Sequence, residues 1–322
     1  MPKTCSEAAT RVSLNGVTMA TRWSVTADVG PGLDLDVLHA ALQAAVDEVD
    51  AQMSPWKPDS DLVRLNRAPA GAWVGLPPAI MEVLARAVQV CRLSDGAFDP
   101  AVGDLVDAWG FGAAREEPDA DAIRAARGQA RSPCHQWLDL DEAAGRVRKL
   151  GPLQLDLCGI AKGYAVDRMV EVLRRHGVAH ALAALDGELR ALGPQADGRP
   201  WPVAVESPQA GRRAVHGVVG MEDVAVATSG DYRRFMRLGD LRLAHTIDSR
   251  RGAPVLNNIA SVTVLAPTCM DADAWATALL VAGPERGLLL ARRLGLDVLM
   301  LLRRGNGIAE VGLGRFGTVA GE

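Results

Sequence analysis

The chain has 322 residues, 48% of them apolar and 23% charged, with a formal net charge of −4. That is a globular composition, long enough for one large or two medium domains with a substantial core. The acidic balance supplies no basic field for nucleic acid, and no stretch reaches the roughly 18 uncharged apolar residues of a membrane span.

From the N-terminus, "MPKTCSEAATRVSLNG" lacks the apolar core, about 7–15 residues, of a signal peptide. Residues 17–29, "VTMATRWSVTADV", are rich in Val and Thr and predict a strand. In "LDVLHAALQAAVDEVDAQM", Leu38, Leu42, Ala45, Val46 and Val49 recur at helical spacing. A second amphipathic helix is expected in "PPAIMEVLARAVQVCRLSDG" and a third in "DPAVGDLVDAWGFG". In the third, Asp99 is the expected N-cap, Pro100 suits the first helical position and Gly110 ends it. Residues 113–133 are polar, linker-like, and expected to hold a short surface helix.

Three short strands are expected in "HQWLDLD", "GRVRKLG" and "LQLDL". The last feeds a helix from about Ile160 to His176, closed by Gly177, and "AHALAAL" returns as a strand. "WPVAVES", "AVHGVVG" and "DVAVATSG" read as further strands. "SVTVLAP" precedes helices over 271–282 and 284–294, and "LDVLMLLRRGNGIAEVGL" closes the chain as a hairpin. Strands and helices mix without strict alternation, so the expected class is α+β, with mixed sheets and packed helices. We read 1–322 as a single domain, with sub-lobes of about 1–133 and 134–322 as a subdivision.

The five cysteines, Cys5, Cys91, Cys134, Cys158 and Cys269, are odd in number and show no zinc-like spacing along the chain. A chain of this size needs no disulfide framework, so a reducing compartment, the cytoplasm, is expected.

Several stretches carry candidate chemistry. In "LDLCGIAKGYAVD" (155–167), Gly159 permits close backbone approach and the following helix offers free N–H groups to a phosphate, with Lys162 adding charge. A plain strand-to-helix connection with a solvated lysine also accounts for these residues. In "MDADAWATALLVAG", Asp271 reads as an N-cap. Asp273 and Thr277, four apart, share a helix face and form a hard oxygen pair suited to Mg²⁺. Simple complementation of the helix dipole also explains the acids. In "HTIDSRRGAPV", His245 has an acid and two arginines close behind it and could act as a general base, or the stretch is a surface turn. The other histidines, His39, His135, His176, His180 and His216, read as surface or helix-end residues. "ATSGDYRRF" (227–235) is either a loop or part of a site.

Taken in order, "MAT", "PWKPDSDLVRLN", "GAFDPAVGDLVDAWGFG", "DLCGIAKGYAVD", "ATSGDYRRF", "HTIDSRRG" and "SVTVLAP…DADAWATALLVAG" resemble the ApbE family from about Met19 to Gly283. The resemblance implies a Mg²⁺-dependent FAD:protein FMN transferase, which moves FMN from FAD onto a threonine or serine hydroxyl of a target protein and releases AMP. It implies that Met19 and Trp56 pack against the flavin or adenine, and that Ala97, Phe98 and Asp99 line the FAD pocket. Asp156 would hold FAD by hydrogen bonds, Lys162 would lie near the phosphates, and the Ile247 backbone near the cofactor. Mg²⁺ would be bound by the Gly159 carbonyl, Asp273 and Thr277, and His245 would be the base. Alternatives with the same site are Mg²⁺-dependent hydrolysis of FAD to FMN and AMP, or FAD binding without turnover.

The chain departs from the family pattern at Ala20, where "MGT" is usual, and at Ser249 and Arg251, where Pro and Thr are usual. "LDGEL" (185–189) replaces Gly-Gly-Asp, so Asp186 adds a side chain expected to narrow the pocket. No Ser/Thr-Gly-Ala-Ser/Thr acceptor motif is present, so the expected acceptor is another protein.

Overall fold

A computed structural model describes residues 9–115, 117–129, 131–208, 214–231, 235–238, 241–305 and 307–317. Its main sheet has eight strands: β1 (Thr10–Thr18), β2 (Thr21–Val29), β3 (His180–Leu185), β4 (Glu188–Leu192), β5 (Ala225–Gly230), β6 (Ile259–Ala266), β7 (Asp297–Arg304) and β8 (Gly307–Leu313). They lie side by side in chain order, and each neighbouring pair is antiparallel. Strand alternation places Trp23, Val25 and Ala27 of β2 in the core while Arg22 and Ser24 face outward.

The helices that position the site are α1 (Leu35–Met53), α2 (Pro78–Leu93), α3 (Gly103–Ala108), α4 (Ala161–Arg175) and α5 (Cys269–Ala282). Asp34 caps α1 by accepting from the N–H groups of Asp36 and Val37. The periodic Leu38, Leu42, Val46 and Val49 are wholly buried, each burial being worth about 1.5–3 kcal/mol. With α4 and α5 they form a helical layer on one face of the sheet. The other face carries a hairpin, Trp201–Glu206 and Val215–Met221, whose Trp201, Val203 and Met221 pack on Ala191, Val226 and Leu265. The α+β class is therefore what the structure shows. One apolar cluster joins Trp23 and Leu38 to Val170, Leu279 and Met300, so residues on both sides of position 133 share a core. Among the described residues no helix is long and apolar enough to cross a membrane.

Four local expectations are corrected. Residues 17–29 are not one strand: β1 turns into β2 through Met19 and Ala20, at φ 47° and 55°, the left-handed backbone of a type I′ hairpin turn. "LQLDL" is extended but joins no sheet. Asn66 takes the place of a neighbouring strand, donating to the Leu155 carbonyl and accepting from its N–H, both at 2.8 Å. Asp99 does not cap α3, which begins at Gly103; its Oδ1 instead accepts from the N–H groups of Ala101 and Cys134. Asp271 lies inside the first turn of α5, and Thr268 is the cap.

Candidate functional site

A cavity of about 1290 Å³ lies where the β1–β2 turn, strands β3–β5, the start of α4 and one face of α5 converge. It exceeds the roughly 300–1,000 Å³ of an ordinary small-ligand pocket. Two close approaches set its inner end. A Cβ on Gly163 would fall 2.2 Å from the Cys269 carbonyl oxygen, so only glycine lets α4 and α5 meet there. Asp167, one turn further along α4, accepts from the N–H groups of Cys269 and Met270 at 2.8 and 2.9 Å and pairs with Arg190 at 2.6 Å. Thus α4 caps α5, fixing which face of α5 looks into the cavity.

That face presents Asp273 and Thr277. Asp273 is 4% exposed and accepts from the Gly163 N–H at 3.1 Å. Burial, reinforced by the negative charge of Glu188, pushes its carboxyl up to about 7, against the opposing pull of Lys162 and the Gly163 N–H. Thr277 Oγ1 lies 3.0 Å from Ser229 Oγ on β5. Gly159 packs against Thr277 and Phe98, and a Cβ there would sit 3.2 Å from Thr277 Oγ1. Lys162 reaches across to Glu188 at 2.6 Å and Asp186 at 3.8 Å. Burial alone would lower its pKa, but the charges of Glu188 and Asp273 outweigh it and hold the ammonium above the ordinary lysine value.

The wall beside Gly159 comes from the loop after α2. The Ser94 hydroxyl receives the Phe98 N–H at 3.0 Å, fixing Ala97 and Phe98 as buried lining. Asp156 accepts from the Cys158 N–H at 2.7 Å, and burial raises its pKa. The outer end is made of turns. Ile247 inserts among Leu105, Ala108 and Ala126, and the Trp109 indole donates to the Gly252 carbonyl at 3.1 Å, so the 245–254 turn is anchored on α3 with His245 on the lining. Trp56 stands on the lining too and is 53% exposed, a large apolar surface left open beside a cavity.

A family model described as the ApbE family matches residues 19–300. The chain belongs to the ApbE family. It is 34% identical over 308 residues to the FAD:protein FMN transferase of Klebsiella pneumoniae (strain 342), covering 94% of this chain and 87% of that protein. It is also 34% identical over 316 residues to the protein of that name from Haemophilus influenzae, covering 94% and 90%. Among solved structures, the flavin transferase ApbE from Vibrio cholerae superposes with a TM-score of 0.85 at 33% identity, covering 94% of this chain and 97% of that one. The apo form of the Pseudomonas stutzeri flavinyl transferase ApbE gives 0.83 at 37% identity, covering 95% of each.

Against this family frame, Met19, Trp56, Ala97, Phe98, Asp99, Asp156, Gly159, Lys162, His245, Ile247, Asp273 and Thr277 all line the one cavity. Asp186, the departure from glycine, lines it as well and turns its carboxylate toward Lys162. Of "ATSGDYRRF", Thr228, Ser229 and Gly230 reach the lining, and 232–234 lie outside the described residues. Sequence reasoning missed Glu188, buried beside Lys162, although its place as the acid after a Gly turn in "LDGEL" was a signal. It also missed Asp167 and Ser229, whose importance depends on partners 102 and 48 residues away.

Proposed function

We propose that this chain transfers the FMN half of FAD to a threonine or serine hydroxyl of a target protein, releasing AMP, as a single cytoplasmic domain working with Mg²⁺. Family membership and the relatives named FAD:protein FMN transferase support flavin transfer. One observation carries the finer reading: Gly159, Lys162, His245, Asp273 and Thr277, from distant segments, line the same large cavity. The buried thiols Cys91, Cys134 and Cys269 suit a reducing compartment.

The donor set fits Mg²⁺. Asp273 is a buried carboxylate facing a second acid, Glu188, and Thr277 adds a hydroxyl beside Gly159. The Asp273 carboxylate, the Thr277 hydroxyl and the Gly159 carbonyl would hold the ion, which when bound neutralises charge on a diphosphate. Lys162 would bind the diphosphate oxygens through its ammonium. The helix-start N–H groups of Ala161 and Gly163, expected to face a phosphate, are instead taken by the Leu157 carbonyl and the Asp273 carboxylate. Trp56 and Phe98 supply apolar surface for the ring systems. In the transfer, the acceptor oxygen bonds to the phosphorus carrying the riboflavin part. The anhydride bond to the AMP phosphate breaks, and His245 takes the hydroxyl proton.

The test is AMP release and protein flavinylation with purified components. His245→Ala is expected to lower turnover by about 10²–10⁴ while FAD affinity changes little. Unimpaired transfer by that variant would overturn His245 as base. Rapid formation of free FMN without a target protein would identify hydrolysis instead, and FAD binding with no AMP under any condition would identify a carrier.

A further inference from the structure

Cys91, Asp99 and Cys134 come from three segments: α2, the loop after it, and the start of the short helix Cys134–Trp137. Both thiols are fully buried, and their sulfurs and a carboxylate oxygen of Asp99 all lie within 4.8 Å of one another. Nδ1 of the half-buried His135 stands 3.4 Å from Cys91 Sγ. The flavin chemistry proposed above uses neither thiol. We propose that Cys91, Cys134, Asp99 and His135 form a structural zinc site, separate from the hard-oxygen site of Asp273 and Thr277.

The donor chemistry selects the metal. Two thiolates with a carboxylate and an imidazole make a borderline-soft set that favours Zn²⁺ over Mg²⁺. Zn–S bonds of about 2.3 Å and Zn–N or Zn–O bonds of about 2.0–2.2 Å, at tetrahedral angles, place ligand atoms about 3.3–3.8 Å apart. The His135–Cys91 separation already has that value. The two sulfurs and the Asp99 oxygen need close by no more than about an ångström and a half to reach it. The His135 ring, which lies outside that three-residue cluster, must swing toward Asp99 and Cys134 to join it. The carboxylate is held ready. Asp99 Oδ1 accepts from Ala101 N at 3.0 Å and Cys134 N at 3.1 Å, and the Ser249 hydroxyl also bonds it. A carboxylate has about four acceptor positions, so one remains for a metal. Outer hydrogen bonds of this kind orient metal ligands. With the His135 ring swung in as the fourth ligand, the coordination sphere would be closed, as in a structural rather than a catalytic zinc site. The ion would pin α2 to the loop bearing Ala97 and Phe98, stiffening one wall of the cavity.

The experiment uses the full chain, purified reduced and stripped of metal, titrated with Co²⁺ and then Zn²⁺. The expected result is one Co²⁺ per chain with thiolate-to-cobalt charge-transfer absorption, displaced by one Zn²⁺. Against a chromophoric chelator, Cys134→Ser should weaken zinc binding by about 100-fold or more, His135→Ala by less, and Asp273→Ala not at all. The proposal is overturned by cobalt uptake without the thiolate band, by undiminished zinc binding in a Cys91→Ser/Cys134→Ser variant, or by a Cys91–Cys134 disulfide in the freshly isolated protein. Should the serine variants fail to fold, the cobalt spectrum of the unaltered chain decides alone.

Discussion

The two ends of the cavity are built on different foundations. At the inner end, Lys162, Glu188, Asp273 and Thr277 stand on α4, β4 and α5, whose other faces are packed core. At the outer end, Trp56, His245 and Ile247 belong to connecting segments fastened at a few points. Rigid elements fix geometry and loops carry variation, so under the proposed function the inner end would hold the constant diphosphate and the outer end would meet the particular partner. Two family departures, Ser249 and Arg251, fall in the outer turn. Ala20 and Asp186 fall instead in tight turns between neighbouring strands.

The contrast is broken most forcefully at the inner end. Gly163→Val would drive methyl groups into the Cys269 carbonyl and part α4 from α5. A loss of about 3 kcal/mol or more is expected, read as a fall in the urea midpoint. An unchanged midpoint would mean that the helices have room to separate. Next in size is the pH dependence of Mg²⁺ binding without FAD. The Asp273 carboxyl, raised to about 7, is protonated below that pH, so an ion held there as proposed would have to expel a proton to bind. Calorimetry should show affinity rising about tenfold per unit from pH 5 toward 7 and levelling above it. A flat profile would remove Asp273 from the ligand set. At the outer end, Trp56→Ala should weaken FAD binding by about five- to tenfold with little change in stability, because the side chain is half exposed. A large fall in the urea midpoint would show that Trp56 belongs to the core after all. The smallest effect is a gain: Ala20→Gly relieves a left-handed alanine at φ 55° and should stabilise by about 0.5–1 kcal/mol. Destabilisation would show that the Ala20 methyl makes contacts worth more than the strain.

The long helices could be read from the chain because their signals are local. Leu38, Leu42, Val46 and Val49 mark α1, and Gly177, at φ 75°, stands just past the end of α4. The errors arose where one local signal serves a different purpose. Met19-Ala20 makes a hairpin turn without the Asn or Gly that normally announces one. The cap-like Asp99 spends its carboxylate on Cys134, 35 residues away. "LQLDL" alternates like a strand, but its partner is the side chain of Asn66. The cavity residues came mainly from the order of the family motifs. Glu188 and Asp167 stayed hidden because their meaning lies in long-range pairing, which a single sequence does not display.

The chain-order arrangement of the main sheet has a temporal consequence. Each strand can add to the one before it as the polypeptide leaves the ribosome, so most of the sheet can form progressively from the N-terminal side. The ligand pocket cannot follow that schedule, because it needs both the Met19 turn and Thr277 on α5. A growing chain would therefore carry a partly built scaffold unable to recognise a dinucleotide, and FAD capture would report that synthesis has passed the helix over 269–282.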